Sequence, residues 1–206
     1  MKEMWESRYS AEDYAYGIEP NTFFKETLEK YKLEGTILLP AEGEGRNAVF
    51  AAKKGLNVLA FDISEEGKKK ALKLAAKQNV TINYKVGDFF NLDIVNHKYE
   101  SVALIFAHFP VSILSKYHKK IGDLIKPNGL VILEGFSKNH LKLSEKNPSL
   151  GGPKNIEVLF SKESIQNDFP DFEILLLEES NVNLSEGKFH NGESSVIRFI
   201  GRKKEK

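Results

Sequence analysis

The chain has 206 residues, 30 basic against 29 acidic side chains, and 41% hydrophobic against 29% charged residues. That length predicts one folded domain with a substantial core, and the composition excludes a disordered chain. A net charge of +1 shows no basic surplus for nucleic acid, and the absence of cysteine excludes disulfides, thiolate metal sites and thiol nucleophiles.

The opening MKEMWESRYS has no apolar signal core, and no apolar run is long enough to span a bilayer. A soluble, cytoplasmic chain is expected. Residues 1–35 are rich in aromatics (Trp5, Tyr9, Tyr14, Tyr16, Phe23, Phe24), and from residue 36 short apolar runs alternate with helical patterns. Thr36–Ala41 predicts a buried strand, and Asn47–Lys54 a helix stopped by Gly55. Leu56–Asp62 predicts the second strand. Glu65–Gln78 predicts a helix with Ser64 as its N-cap and two Glu in its first turn. Thr81–Val86 and Ser101–Phe106 predict the third and fourth strands. Val111–Ile125 reads as a helix, Lys126-Pro127-Asn128-Gly129 as a turn and Leu130–Leu133 as the fifth strand. After Phe136 the alternation lapses. Ser137–Lys154 reads as a polar loop or lid, Lys162–Phe169 as a short helix, and Glu173–Glu178 with Ser195–Arg202 as an antiparallel pair. The whole predicts an α/β fold: a seven-stranded, mostly parallel sheet with a C-terminal antiparallel hairpin and helices on both faces.

Between the first strand and the helix after it lies Pro40-Ala41-Glu42-Gly43-Glu44-Gly45-Arg46-Asn47-Ala48. A Gly-x-Gly-x-x-Ala spacing at a helix N-terminus lets a ligand approach backbone N–H groups. Asp62, seventeen residues past Gly45 at the end of the second strand, is placed to accept both hydroxyls of a ribose. The spacing alone admits a nicotinamide cofactor, S-adenosylmethionine, or a plain turn. Three features favour S-adenosylmethionine. A pyrophosphate would lie near Glu42 and Glu44, and like charges about 5 Å apart at an effective dielectric near 20 repel by roughly 3 kcal/mol. Asp88-Phe89, after the third strand, is placed to bond an adenine amino group and pack on its ring; a helix cap followed by a core Phe is the competing reading. There is no Tyr-x-x-x-Lys pair for short-chain dehydrogenase chemistry, nor length for a separate substrate domain.

These motifs resemble the class I S-adenosylmethionine-dependent methyltransferases over nearly the whole chain. Within that class the chain resembles small bacterial enzymes of the tellurite-resistance and thiopurine-methyltransferase-like type. Their Trp-x-x-Arg-Tyr…Tyr-Gly-x-Glu-Pro-Asn opening is matched by Trp5, Arg8, Tyr9, Tyr16, Gly17, Glu19, Pro20 and Asn21. Further matches fall at Glu42–Ala48, at Gly151-Gly152-Pro153 and at Glu186-Gly187, His190 and Gly192. The resemblance implies a Rossmann-like fold in one domain over 1–206: an N-terminal cover (1–35), a cofactor-binding core (36–136) and a substrate-side region (137–206). It implies S-adenosylmethionine as cofactor, S-adenosylhomocysteine as product, and a cofactor site of Ala41, Glu42, Gly43, Gly45, Arg46, Asn47, Asp62, Ile63, Ser64, Asp88, Phe89 and Phe106. Where the wider class has an acid and a first loop glycine, this chain has Leu39 and Ala41. By resemblance, Glu42 takes over polar contact with the methionine end.

Methyl transfer from a sulfonium needs donor and acceptor held in line, and alignment alone supplies about 7–11 kcal/mol. The acceptor is expected beyond the carboxyl ends of the strands, where the N-terminal segment, His108-Phe109, the 137–154 loop and His190 converge. His108 and His190 are the candidate bases, since histidine titrates near working pH; a histidine satisfied by backbone is the competing reading. Arg8 and Tyr9 are candidate acceptor contacts. With four Arg against twenty-six Lys, Arg8 and Arg46 are candidates for anion binding. Carbon-5 pyrimidine transfer needs a cysteine, and in place of the Asn/Asp-Pro-Pro-Tyr pattern of amino-directed nucleic-acid enzymes stands Ala107-His108-Phe109-Pro110. A small-molecule acceptor is therefore expected, with no metal, nucleic acid or membrane, in a monomer or weak homodimer. The alternatives are an NAD(P)-dependent oxidoreductase using the same loop and a non-catalytic binding protein of methyltransferase fold.

Overall fold

A computed structural model describes residues 1–205. Seven strands, β1 (Thr36–Pro40), β2 (Asn57–Asp62), β3 (Asn83–Val86), β4 (Tyr99–Ile105), β5 (Ile125–Phe136), β6 (Phe172–Glu186) and β7 (His190–Lys203), form one sheet in the order β3-β2-β1-β4-β5-β7-β6. The first five are parallel, and β7 runs antiparallel between β5 and β6. Strand order reverses between β1 and β4, which opens a crevice beyond their carboxyl ends.

Side chains alternate across each strand, so a strand buried on both faces feeds two cores. Leu38, Val102, Leu104, Val131 and Phe199 join the core under α5 (Leu114–Asp123) and α7 (Lys162–Asp168). Their neighbours Ile37, Leu39, Ala103, Ile105, Ile132 and Ile200 face α2 (Thr22–Tyr31), α3 (Arg46–Lys53) and α4 (Glu65–Lys77). Ser64 caps α4, its hydroxyl accepting from Gly67 N at 3.0 Å as its sequence position predicts. None of the described helices is long and apolar enough to cross a membrane.

The differences from expectation lie where polar residues hide the pattern. The N-terminal segment contains α1 (Lys2–Tyr9) as well as α2. The 137–154 stretch is not all loop: His140–Lys146 forms α6, with His140 and Ser144 buried. The helix expected from Val111 begins three residues later, after Ile113 N and Leu114 N bond Pro110 O. The Lys126–Gly129 turn is an irregularity inside β5, where the register with β4 shifts between Tyr99 and Ser101. The terminal hairpin is far longer than expected, pairing Phe172 with Lys203 and, at the other end, Glu186 with His190. Much of β6 is half-exposed at the sheet edge, so its sequence, rich in Glu, Ser and Asn, shows little apolar alternation.

Helix α3 starts at Gly45, whose φ of 85° favours glycine and whose Cα faces α4 so closely that an added Cβ would meet Ala71 Cβ at 2.5 Å and Cα at 2.8 Å. Gly45→Ala therefore combines backbone strain with overpacking, and urea unfolding should show a loss of about 3 kcal/mol.

Candidate active site

The loop after β1 turns through positive φ at Ala41, Gly43 and Gly45. It is tied to β2 by Asp62, whose Oδ2 accepts from Gly43 N and Oδ1 from Ser64 N, each at 3.0 Å. Burial pushes the Asp62 carboxyl up to about 6 against the pull of those amides. Glu42 accepts from Ala48 N at 2.7 Å and so closes the first turn of α3; burial raises its carboxyl to about 7. Glu44 is buried, accepts from Ala15 N at 2.7 Å and meets Lys70 Nζ at 2.6 Å. These partners correct the electrostatic argument made from the loop. One carboxylate is a helix cap and the other is neutralised by Lys70, so the pair does not confront a ligand with two charges.

The side chain of Arg46 also departs from expectation. Its guanidinium turns from the loop to Glu186, 2.8 Å away, while Asn47 Oδ1 accepts from Asn21 N at 2.9 Å. Phe89 is fully buried, with its ring stacked on Phe61 at 5.8 Å, so it is a core residue and not a surface for adenine. Asp88 caps the short turn after it, Oδ1 accepting from Phe90 N, and Oδ2 accepts from Tyr117 Oη at 2.8 Å. Ile63, beside Asp62, is half-buried. Phe106 follows β4 with φ 52° and donates its N–H to Glu134 O.

Helix α1 lies across the glycine loop and α4. Glu6 accepts from Ser64 Oγ, Glu65 N and Glu66 N at the α4 N-terminus, where those bonds hold its carboxyl below its ordinary value. Tyr9 is buried, stacks on Trp5 at 5.4 Å, and places its hydroxyl where a Cβ on Gly43 would sit.

His108 is satisfied by backbone: Nδ1 donates to Val158 O at 2.8 Å and Nε2 accepts from Phe136 N at 3.1 Å. Both ring nitrogens are spent, and burial pushes the imidazole down to about 4. This corrects its reading as a base. His190 is different. It is buried, Nδ1 lies 3.2 Å from Glu186 Oε2, and its ring is walled by Tyr16 at 4.5 Å, Phe106 at 4.4 Å and Phe136 at 5.0 Å. Burial pulls His190 below its ordinary value, while Glu186 opposes that shift. Burial alone would raise Glu186, but hydrogen bonds from His190 and the charge of Arg46 outweigh it and hold the carboxyl down at about 2.

Sequence reasoning missed the rest of this cluster. Asn21 Nδ2 donates to Glu134 Oε1 at 2.6 Å and to Glu186 Oε1 at 2.9 Å, and Arg198 Nε donates to Glu134 Oε2 at 2.6 Å. A carboxylate ending the apolar run Leu130–Leu133 was the available signal for Glu134. It also missed His118, fully buried with Nδ1 2.7 Å from Asp168, a contact that joins α5 to α7.

Residues 37–129 match the family model described as a methyltransferase domain. The chain is 30% identical over 135 residues to the ribosomal protein L11 methyltransferase of Thermosipho melanesiensis, an alignment covering 64% of this chain and 50% of that protein. It spans about half the length of the curated relatives it matches. The fold is that of an S-adenosylmethionine-dependent methyltransferase from Clostridium acetobutylicum, with TM-score 0.63 and 18% identity over 89% of this chain and 90% of that one. TehB from Haemophilus influenzae gives 0.69 and 14% over 98% and 67%. A structure described as concerning conversion of a disulfide bond into a thioacetal group during echinomycin biosynthesis gives 0.78 and 16% over 99% and 92%.

Residues 37–129 thus match a methyltransferase domain, and the fold around them is that of S-adenosylmethionine-dependent methyltransferases. The chain's residues fit that cofactor. Each Asp62 oxygen has accepted one bond and keeps a second lone pair for a ribose hydroxyl, Ile63 offers a half-buried apolar edge, and Asp88 is exposed at the end of β3.

The role found for His108 has a pH signature. A histidine depressed to about 4 lends stability that is complete above its unfolded value of 6.5 and is lost as pH falls towards 4. Urea unfolding of the methyltransferase domain and its His108→Asn variant should therefore show the wild-type advantage shrinking over that interval.

Proposed function

We propose that the chain transfers a methyl group from S-adenosylmethionine to a small-molecule acceptor by in-line displacement. The observation that carries the reading is His190, held through Nδ1 by Glu186, with no hydrogen bond at Nε2 among the described residues. When bound, S-adenosylmethionine supplies an electrophilic methyl group on a sulfonium whose leaving sulfide needs no proton. Glu186 keeps the His190 proton on Nδ1 and leaves the Nε2 lone pair free to take the proton that an acceptor hydroxyl or thiol loses. The same carboxylate stabilises the imidazolium that results, and Arg46 and Asn21 hold the carboxylate in place.

The burial of His190 supports a small acceptor. The curated relatives are named for a ribosomal protein, but a folded protein surface does not reach a side chain that is 7% exposed without a local opening. We further propose that the protein acts in the cytoplasm as a monomer or weak homodimer, without nucleic acid or membrane.

Calorimetry with S-adenosylhomocysteine and with NADH is the first test. Micromolar binding of the former is expected, weakened at least tenfold in Asp62→Ala; tight NADH binding alone would sink the proposal. Turnover with labelled methyl donor against thiols, phenols, tellurium and selenium oxyanions and ribosomal protein L11 then identifies the acceptor. With it, His190→Asn should lower kcat by about 10²–10⁴-fold at unchanged S-adenosylhomocysteine affinity. The acid limb of kcat/KM should fall below pH 6.5, and Glu186→Gln should move it lower still, because the lost carboxylate favours the imidazolium.

A further inference from the structure

Three of the four arginines pair with a carboxylate: Arg46 with Glu186 at 2.8 Å, Arg198 with Glu134 at 2.6 Å and Arg202 with Glu173 at 3.7 Å. Arg8 has no carboxylate partner among the described residues. It is half-buried, and its guanidinium lies over the rings of Trp5 at 4.8 Å and Phe189 at 4.5 Å. One of its five N–H groups is used, Nη1 donating to Tyr16 Oη at 2.7 Å. Aromatic contacts hold the guanidinium without consuming its donors or cancelling its charge. The ring of Tyr16 also packs on His190 at 4.5 Å, so an unneutralised cation and the proposed base flank one tyrosine.

We infer that Arg8 is the receptor for an anionic group on the methyl acceptor. The acceptor class is then a small aromatic or apolar molecule that carries a carboxylate or similar oxyanion and is methylated at a hydroxyl or thiol beside His190. The anionic end takes the free donors of Arg8, and the body of the molecule packs against the rings of Tyr16 and Phe189 beside it. This rests on the methyl-transfer reading, and a purely structural Arg8, clamping α1 to the β6–β7 turn, is the alternative it must beat.

Trp5 is the single tryptophan and lies against Arg8, so its fluorescence reports on the site. In the presence of S-adenosylhomocysteine, benzoate should change that fluorescence saturably, and neutral benzamide should not. Arg8→Gln should weaken benzoate at least tenfold, and Arg8→Lys, which keeps the charge, should restore part of the affinity. In turnover, 2-mercaptobenzoate should exceed thiophenol in kcat/KM by tenfold or more, and Arg8→Gln should collapse that ratio. Equal responses to benzoate and benzamide, or a benzoate response unchanged in Arg8→Gln, overturn the inference. If Arg8→Gln does not fold, the benzoate–benzamide contrast in the wild type decides. Calorimetry with S-adenosylhomocysteine reads the underlying proposal separately: binding without a benzoate effect removes the Arg8 assignment alone. Without such binding that proposal falls instead, and the benzoate titration repeated in its absence still decides Arg8.

Discussion

Two buried carboxylates share one amide. Glu134 at the end of β5 and Glu186 at the end of β6 both accept from Asn21 Nδ2, and each is also paired with an arginine, Arg198 and Arg46. Burying two like charges side by side would cost several kcal/mol per ion if either lacked a partner. The cluster is stable only as a complete set. That set draws one residue from the N-terminal segment, one from α3, two from strand ends and one from β7, so satisfying it brings the segments around His190 into place together. Loss of Asn21 would leave both carboxylates short of a donor although neither had been altered.

The glycine loop is held by the same logic on a smaller scale. Asp62, Glu42 and Tyr84 each meet a backbone group of the loop or of the helix it starts, at 3.0, 2.7 and 2.6 Å. The crevice is thus shaped by acids that act on the protein's own amides. Arg46 sits where this loop meets the carboxylate cluster, and through Glu186 it connects the glycine loop to His190.

The sheet was legible in the sequence because the inner strands are apolar on both faces and are separated by helices with clear stop signals, such as Gly55 and the Ser64 cap. The glycine loop and Asp62 were legible for the same reason: their spacing depends on local geometry. The side-chain roles within the site were less so. Glu42 looks alike in sequence whether it faces a ligand or caps the helix six residues on, and Arg46 whether it faces a ligand or a carboxylate 140 residues away. His108 and His190 are both histidines at strand ends, yet one meets two backbone partners and the other a carboxylate. The β6–β7 hairpin was cut short because an edge strand with half-exposed side chains has little apolar periodicity to read.

Helix α1 is a roof over the crevice, fastened by Glu6 to the dipole of α4 and by the packing of Tyr9 above Gly43. For a ligand that had to pass beneath this roof, affinity would contain the free energy of lifting it as well as the contacts below. The Glu6 fastening is a charge against a helix end near the surface, which salt weakens, whereas the Tyr9 contact is buried and salt hardly touches it. The hold of α1 on the crevice is thereby sensitive to ionic strength at one fastening and not at the other.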